Sequence, residues 1–255
     1  MRYWLVMPAA GAGRRFGTPL PKQYAALEDR TVIEWSLAPF LADRRCAEAV
    51  VALTPEDEHW PRIASRLPGA VRAVTGGAQR SHSVRQALGA LGGRAAADDW
   101  VLVHDAVRPC LEQADLERLL AAAGTHAVGG LLAVPAADTL KRAGDPAAGV
   151  GTAEAVAPSV AETVERVGLW RALTPQMFRY GPLCAALDAA HAAGRSPTDE
   201  SQALEWQGEQ PLLVEGAAAN LKVTTAADLA VAVAVLRTLR GRAAAGETRH
   251  VQGRP

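Results

Sequence analysis

Cysteine, net charge and long apolar runs are all scarce in this chain of 255 residues. The three cysteines, Cys46, Cys110 and Cys184, have neither disulfide-framework nor zinc-ligand spacing, which is typical of a reducing cytoplasm. Lysine plus arginine and aspartate plus glutamate both total 27, so no overall basic field is available to hold nucleic acid. No stretch reaches the length of a membrane span, and the N-terminal YWLVM is too short for a signal-peptide core. We therefore expect a soluble cytoplasmic protein that binds neither nucleic acid nor membrane.

Three common catalytic or nucleotide-binding motifs are also absent from the sequence. A first predicted strand, Tyr3–Pro8, runs into glycines at positions 11, 13 and 17, but Phe16 occupies the third glycine position of a G-x-G-x-x-G turn. No Gly-Lys-Ser/Thr follows four spacer residues, which excludes a P-loop, and no Ser/His/Asp triad signature is found. These absences disfavour a nicotinamide oxidoreductase and leave the glycine-rich turn in need of another explanation.

The apolar residues that are present, 49% of the chain, alternate between short runs and amphipathic stretches. This alternation is typical of βαβ units around a mostly parallel sheet. The pattern predicts strands at Tyr3–Pro8, 48–54, 70–77, 100–109 and 128–142, and helices at 31–42, 83–91, 111–124 and after 225. We therefore predict a single α/β domain over residues 1–255.

Two helix starts and one packing face are predicted in more detail. Ser81 or Ser83 is available to cap the helix at 83–91, and Thr225 with Asp228 forms a capping-box pair for the last helix. The last helix continues as LAVAVAVL, so we expect it to pack on the sheet. Residues 143–162 lack periodicity and indicate a protruding arm, and the polar segment 241–255 is predicted as a loosely held tail.

The glycine-rich turn carries small residues and positive charge together. Ala9, Ala10 and Gly11 would let backbone amides approach a ligand closely, and Pro19 and Pro21 stiffen the loop before a lysine. The cations of this stretch are Arg14, Arg15 and Lys22. Either arginine alone could be an ordinary solvated charge, but the whole combination indicates a phosphate-binding loop.

A second candidate site is the stretch VHDAVRP. Its apolar run ends at Asp105, at the carboxyl end of a predicted strand, where open α/β sheets bind their ligands. A carboxylate there suits Mg²⁺, which needs few protein ligands when phosphates supply the rest. A helix cap or a salt bridge to Arg108 is the alternative explanation of Asp105. His104 precedes it on the opposite face of the strand and is interpreted as structural.

Two further stretches carry candidate polar residues. Lys222 lies in a short β-like run before the last helix, where it could meet phosphate, although a lone lysine can also be merely solvated. Thr198 and Asp199 lie on a loop that opens a helix, and capping alone could explain them. Arginines, lysines and Mg²⁺ together suit nucleotidyl transfer to a phosphate monoester, because the attacking oxygen is already anionic.

The chain resembles the 2-C-methyl-D-erythritol 4-phosphate cytidylyltransferases of the non-mevalonate isoprenoid pathway. The matching stretches, in family order, are PAAGAGRRFGTPLPKQY, GGAQRSHSV, VHDAVRP, DTLKR, LWRALTPQ, TDE and NLKVT. The resemblance implies a Rossmann-like fold of the nucleotide-diphospho-sugar transferase type, a homodimer and a requirement for Mg²⁺. Its implied substrates are CTP and a polyol phosphate, and residues 137–171 would form a dimerisation arm.

The resemblance also implies roles for individual residues. The CTP pocket would be lined by Ala9, Ala10, Gly11, Gly13, Gly77 and Ser83. Arg15 and Lys22 would hold the triphosphate and stabilise the transition state. Asp105 would bind Mg²⁺, with Ala106 and Arg108 nearby. The methylerythritol phosphate would be met by Thr139 and Arg166, across the dimer interface, and by Thr174, Thr198 and Lys222.

Two departures from the family pattern stand out. Ala219 precedes Asn220 where family members usually carry an acidic residue, so metal binding would depend more heavily on Asp105. The segment between Thr139 and Thr174 is also longer than usual. A ribitol 5-phosphate cytidylyltransferase is a close alternative function, and a non-catalytic nucleotide-binding protein of the same fold is a more distant one.

Overall fold

The computed structural model describes residues 1–11, 16, 20–67, 71–144 and 157–252, with backbone alone from residue 243 onward. Gly13, Arg14, Arg15 and Gly17 of the glycine-rich turn lie outside these ranges, as does the middle of the predicted arm. Across the described ranges, no helix combines the length and the apolar character needed to cross a membrane.

The described residues form eleven strands and seven α-helices. The strands are β1 Tyr3–Pro8, β2 Ala26–Leu27, β3 Arg30–Thr31, β4 Cys46–Leu53, β5 Val71–Thr75, β6 Trp100–Val103, β7 Gly129–Pro135, β8 Leu140–Ala143, β9 Val160–Val164, β10 Trp170–Arg179 and β11 Leu212–Glu215. The helices are α1 Val32–Leu41, α2 Trp60–Ala64, α3 Arg80–Gly89, α4 Gln113–Ala123, α5 Tyr180–Ala192, α6 Glu200–Glu205 and α7 Ala226–Gln252. A short 3-10 turn covers Lys22–Tyr24.

Seven strands form one mixed sheet in the order β11-β7-β10-β6-β1-β4-β5. Neighbouring strands are parallel except β10, which runs antiparallel to both β6 and β7. The carboxyl ends of the six parallel strands therefore meet at one edge, and the amino end of β10 joins them there. The α/β fold with a mostly parallel sheet and helices on both faces is thereby confirmed.

The two faces of the sheet bury separate apolar clusters. Along β1, Leu5 and Met7 point into a cluster covered by α1, α2 and α4, whereas Trp4 and Val6 point into one covered by α3, α5 and α6. This alternation follows from the two-residue period of a strand. A strand apolar on both faces is typical of a sheet sandwiched between helices.

The last helix packs elsewhere than predicted. Its buried residues Ala232 and Leu236 join a third cluster with Leu27 of β2, Val32 at the start of α1, and Phe16. The prediction that this helix packs on the sheet is wrong, because α1, α2, α4, α3, α5 and α6 already cover both sheet faces. The third cluster joins the end of the glycine-rich turn to the segment before α7.

The predicted caps have different outcomes. Ser81 and Ser83 lie inside α3, whose N-cap is Gln79, so the predicted serine cap is wrong. The serines point inward instead, and Ser83 is 3% exposed. The capping box of α7 is confirmed, since Thr225 donates its N–H to Asp228 Oδ2 at 2.8 Å and its Oγ1 accepts from the Asp228 N–H at 3.4 Å.

The predicted arm contains a two-stranded hairpin. Strands β8 and β9 pair antiparallel, with Leu140 opposite Val164. The sequence pattern missed β9, because its alternating residues are nearly all exposed and give no apolar signal. At the other end of the chain, the backbone is helical as far as Gln252, into the segment predicted as a tail. Loose attachment of that segment stays a prediction.

The cap of α7 predicts a pH-dependent contribution to stability. Hydrogen bonds from the Thr224 hydroxyl and from the N–H groups of Thr224 and Thr225 lower the pKa of Asp228 from 3.8 to about 2. A carboxyl whose pKa falls on folding stabilises the fold fully above its unfolded pKa and loses that contribution as pH falls through its folded pKa. Asp228→Asn should therefore lower the melting temperature at neutral pH, and the difference from wild type should shrink between pH 3.8 and 2. A difference that stays constant over that interval would contradict the prediction.

Candidate active site

One pocket lies at the edge where the parallel strands end. It is lined by Pro8, Ala9, Ala10, Gly11, Lys22, Gln23, Gly77, Ala78, Gln79, Arg80, Ser83, Asp105, Ala106, Val107 and Lys222. The loops after β1, β5 and β6 and the segment before α7 supply these residues. The pocket thus contains the described residues that were predicted to bind the nucleotide, the two lysines Lys22 and Lys222 that were predicted to contact phosphates, and the predicted metal ligand Asp105.

Hydrogen bonds to the backbone fix the side of the pocket that is predicted to bind the nucleotide. Ala9 donates its N–H to the Ala52 carbonyl at 2.7 Å, and the Gln23 side chain donates to the Ala9 carbonyl at 2.9 Å. Ser83 Oγ accepts from the Gly77 N–H at 3.1 Å and lies 3.1 Å from the Gln79 carbonyl oxygen. Ser83 therefore holds the loop after β5 against the first turn of α3.

The loop after β5 leaves no room for a side chain at Gly77. A Cβ there would lie 2.4 Å from the Cβ of His82. Gly77→Ala should displace the loop and lower the free energy of unfolding by about 1–3 kcal/mol, as overpacking typically does. Urea unfolding would measure this loss.

Gly89→Ala, at the C-terminal end of the helix α3 that follows this loop, provides the matched control. A Cβ at Gly89 would lie 3.5 Å from the nearest atom, a flexible Arg85 guanidinium nitrogen. We expect this variant to be neutral or slightly stabilising, because alanine favours helix over glycine. Equal effects of the two substitutions would contradict the packing argument for the loop.

Asp105 is the electrostatic centre of the pocket. It is 6% exposed, and three cations contact its carboxylate. Arg80 Nε lies 3.0 Å from Oδ1, while Lys222 Nζ at 3.0 Å and Arg108 Nε at 3.4 Å approach Oδ2. Burial alone would raise the pKa of Asp105, but the positive charges of Arg80, Lys222 and Arg108 outweigh it and hold the pKa well below its usual range. Asp105 is therefore ionised, and the salt bridge to Arg108 considered from the sequence exists beside two others.

Arg80 and Glu200 are polar partners that the sequence analysis missed. Arg80 donates from Nη1 to Glu200 Oε1 at 2.7 Å and from Nη2 to Oε2 at 3.0 Å, while its Nε donates to Asp105. Glu200 is completely buried, and burial raises its pKa although Arg80 opposes the shift. Arg80 lies in GGAQRSHSV and Glu200 in TDE, so both motifs were noticed, but nothing in a single sequence pairs them.

His104 is structural, as the sequence predicted, and its proton can be placed. Its Nε2 lies 3.1 Å from the Arg108 carbonyl oxygen, which can only accept, so Nε2 carries the proton. Burial lowers the pKa of His104 to about 4, so the ring is neutral and Nδ1 accepts. The Thr174 hydroxyl, 3.0 Å away, then donates to Nδ1 while accepting the Asp105 N–H at 3.1 Å.

These bonds define what Thr174 can do. The residue is 4% exposed and lies in an irregular part of β10, where the pairing register shifts between Ala172 and Gln176. Its hydroxyl proton is already used by His104, so a ligand could contact it only by donating to its oxygen. The predicted substrate contact of Thr174 stays a prediction.

Arg108 and Lys222 contact the same oxygen of Asp105, but of these two only Lys222 lines the pocket. Arg108 is 8% exposed and donates from Nη1 to the Asn220 carbonyl at 2.8 Å. The Lys222 side chain is 40% exposed and lines the pocket. The backbone around Lys222 forms no strand, so the predicted β-like run is wrong; the Val223 N–H donates instead to the Val107 carbonyl at 2.8 Å.

The remaining predicted substrate residues lie outside the pocket lining. Thr139 and Arg166 are exposed at the base of the β8–β9 hairpin, where Arg166 donates to the Ala137 carbonyl. Thr198 is exposed before α6, and Asp199, whose carboxylate accepts the Gln202 N–H at 2.9 Å, caps that helix. The capping interpretation of Asp199 is confirmed, and the substrate contacts of these three residues stay predictions.

The described residues can contribute one carboxylate to a metal ion in this pocket. No group of three or more His, Cys, Asp or Glu side chains within them could hold a metal. Glu200 is fully buried behind Arg80, and Ala219 offers no ligand. A single carboxylate fits Mg²⁺, because this ion commonly takes one or two carboxylates together with substrate phosphates and water.

Comparisons with known proteins agree with this geometry. The sequence model of the IspD family, 2-C-methyl-D-erythritol 4-phosphate cytidylyltransferase, matches residues 3–238. The protein of that name from Halorhodospira halophila (strain DSM 244 / SL1) is 51% identical over 244 residues, which cover 94% of this chain and 96% of the relative.

Solved structures give the same result. A crystal structure of 4-diphosphocytidyl-2C-methyl-D-erythritol synthase is similar with 37% identity and a TM-score of 0.77, over 92% of this chain and 98% of the other. The cytidylyltransferase from Thermus thermophilus has 31% identity and a TM-score of 0.72, over 93% and 100% of the two chains. The chain therefore belongs to the IspD family of 2-C-methyl-D-erythritol 4-phosphate cytidylyltransferases, nucleotidyltransferases of the non-mevalonate isoprenoid pathway.

Proposed function

We propose that this pocket joins CTP and 2-C-methyl-D-erythritol 4-phosphate, forming 4-diphosphocytidyl-2-C-methyl-D-erythritol and pyrophosphate. The substrate phosphate attacks the α-phosphorus of CTP in line, and pyrophosphate leaves with the electron pair of the broken P–O bond. The observation that carries this mechanism is the convergence of Lys22, Arg80, Lys222 and ionised Asp105 on one pocket at the strand ends.

Alignment of the substrates and neutralisation of their charge suffice for this reaction. The attacking phosphate oxygen is already anionic, so no general base has to remove a proton. The nearby hydroxyl and imidazole are engaged elsewhere, since Ser83 Oγ bonds to backbone and His104 is buried and neutral. The enzyme has to align two polyanions and neutralise the charge that develops as phosphorus becomes five-coordinate.

The loops divide this work between nucleotide and phosphates. Small residues bring backbone groups close to the nucleotide: Ala9, Ala10, Gly11, Gly13, Gly77, Ser83 and Ala106. Lys22, with Arg15 on the same loop, holds the triphosphate and stabilises the transition state. Lys222, half-exposed at the pocket and already in contact with a carboxylate, neutralises the attacking phosphate. Each cation directed at a phosphate stabilises the transition state by about 2–4 kcal/mol.

Asp105 would hold Mg²⁺ together with the triphosphate oxygens. The bound ion would supply further positive charge to the phosphates. Asp105 is the one carboxylate among the described lining residues, and its low pKa keeps it available as an anionic ligand at physiological pH. Arg108, buried against Asp105, would orient the carboxylate and contribute to binding of the polyol phosphate.

The hairpin supports a homodimer in which one protomer completes the site of its partner. Val160, Val167 and Trp170 on and beside the hairpin are 62%, 84% and 36% exposed, which is unusual for large apolar side chains. Thr139 and Arg166 at the hairpin base, with Thr198 and Thr174, would contact the methylerythritol phosphate. Sedimentation equilibrium should give a dimer mass, and a monomer at micromolar concentration would contradict this part. The three free thiols support the cytoplasmic location expected from the sequence.

Pyrophosphate release tests the proposed substrates directly. CTP and Mg²⁺ are supplied with 2-C-methyl-D-erythritol 4-phosphate or with ribitol 5-phosphate, and the initial rates are compared. We expect rapid release with the methylerythritol substrate and little with ribitol 5-phosphate. Turnover with ribitol 5-phosphate alone would overturn the proposal.

A further inference from the structure

Glu200 is a fully buried carboxylate that does not line the pocket, yet it contacts a residue that does. Its two oxygens take both terminal nitrogens of Arg80, at 2.7 and 3.0 Å. Such paired bonds fix the plane of a guanidinium group as well as its position. Arg80 lines the pocket beside Asp105. The orientation of a cation at the active site is therefore set by an acid outside it.

The paired contact turns the two terminal nitrogens of Arg80 towards Glu200. The nitrogen that donates to Asp105 is Nε, at 3.0 Å from Oδ1. The charged cluster around Asp105 joins the cations Arg80, Arg108 and Lys222 to the carboxylates Asp105 and Glu200. Without the Glu200 charge, all three cations would face a single carboxylate.

We propose that Glu200 is a positioning residue that holds the two terminal nitrogens of Arg80 on itself and leaves Nε on Asp105. Asp105 then stays only partly neutralised and can accept a divalent cation beside the triphosphate. Released from Glu200, Arg80 would turn its two terminal nitrogens towards Asp105 or the phosphates. The pocket would then attract metal-free triphosphate more strongly and the divalent cation less strongly. This inference rests on the proposed role of Asp105 as the metal ligand.

The test measures binding without turnover. Metal-free CTP, with EDTA present, and CTP with saturating Mn²⁺ are titrated separately into the enzyme by isothermal titration calorimetry, with no polyol phosphate. The ratio of the metal-free Kd to the Mn²⁺–CTP Kd is the metal enhancement. For Glu200→Gln we expect tighter binding of metal-free CTP, weaker binding of Mn²⁺–CTP, and a metal enhancement about tenfold below wild type, the size of one charge-assisted hydrogen bond.

A double variant tests whether Arg80 transmits the effect. In Arg80→Gln/Glu200→Gln the released cation is gone, so the metal enhancement should return to the wild-type value or exceed it. A purely structural role of Glu200 would show no such recovery. This variant also replaces a buried ion pair by two amides that can bond to each other, so it tests the proposal even if Glu200→Gln does not fold.

Asp199→Asn is the matched control at the start of the same helix. Asp199 caps α6 and bonds to Gln176, and neither of these hydrogen bonds involves Arg80. We expect its metal enhancement to equal that of wild type even where the melting temperature falls. A fall comparable to that of Glu200→Gln would assign the effect to α6 as a whole and overturn the proposal.

The outcomes separate this proposal from the proposed function. If Asp105→Asn abolishes the metal enhancement while Glu200→Gln leaves it unchanged, the role of Glu200 is overturned and that of Asp105 survives. If Asp105→Asn itself keeps the full enhancement, Asp105 is not the metal ligand, and both proposals fail. Equal weakening of both Kd values in Glu200→Gln, or a double variant below wild type, also overturns the inference.

Discussion

Lys22→Ala is expected to lower kcat by about 10²–10³-fold, the usual result of removing one group that stabilises transition-state charge. CTP binding should weaken much less, because other groups still hold the nucleotide in the ground state. Lys22 opens the short turn Lys22–Tyr24, and the next residue, Gln23, is bonded to the Ala9 carbonyl. The lysine is thus attached to a buried turn that joins the nucleotide loop. Rapid-quench measurement of the chemical step and equilibrium titration with CTP would give the two effects separately.

Lys22→Arg controls for the loss of charge. Arginine keeps the positive charge but changes its shape and reach, so this variant should retain more activity than Lys22→Ala. An unchanged kcat in Lys22→Ala would remove Lys22 from the mechanism. A loss of CTP binding as large as the loss of kcat would instead make Lys22 a ground-state contact.

Lys222→Ala is expected to reduce kcat/KM for the polyol phosphate by about 10²-fold while leaving the Kd for CTP nearly unchanged. Lys222, on the segment before α7, contacts Oδ2 of Asp105, whereas Arg80 contacts Oδ1. Its side chain is 40% exposed, so its removal leaves no buried cavity, and the melting temperature should hardly change. The effect is therefore catalytic rather than structural.

The contrast between the two lysines is the control for this second prediction. Lys22→Ala should affect mainly the chemical step at saturating substrates, and Lys222→Ala should also affect the concentration dependence on polyol phosphate. Initial rates over a range of both substrates would show the difference. If Lys222→Ala weakened CTP and left the polyol phosphate untouched, the assignment of Lys222 to the attacking phosphate would be wrong.

Much of the pocket could be predicted from the sequence because its residues follow strand ends. Ala9, Gly77 and Asp105 come directly after apolar runs, and parallel strands bring such positions to one edge. The chemistry of small residues and cations is then local to each loop. Lys222 was placed correctly at the pocket but on a wrongly predicted strand, because its segment is attached by isolated hydrogen bonds, from Val223 to the Val107 carbonyl and from Arg108 to the Asn220 carbonyl, and not by strand pairing.

The parts that the sequence did not predict depend on contacts between distant segments. Arg80 and Glu200 are separated by 120 positions, and they meet because α3 and α6 pack in the same apolar cluster on one face of the sheet. The commitment of the Thr174 hydroxyl to His104 likewise depends on a register shift within β10. The last helix was misplaced because its apolar pattern shows that it packs, but not against which surface.

The central claim is that the cations align the two substrates and that the nucleotidyl group passes directly from CTP to the attacking phosphate, with no covalent enzyme intermediate. The most direct test is the stereochemistry at the α-phosphorus, followed with one diastereomer of CTP carrying sulfur at that position. A single in-line displacement inverts the configuration, and we predict inversion in the 4-diphosphocytidyl product. Retention would mean two displacements through a protein nucleophile and would contradict the account.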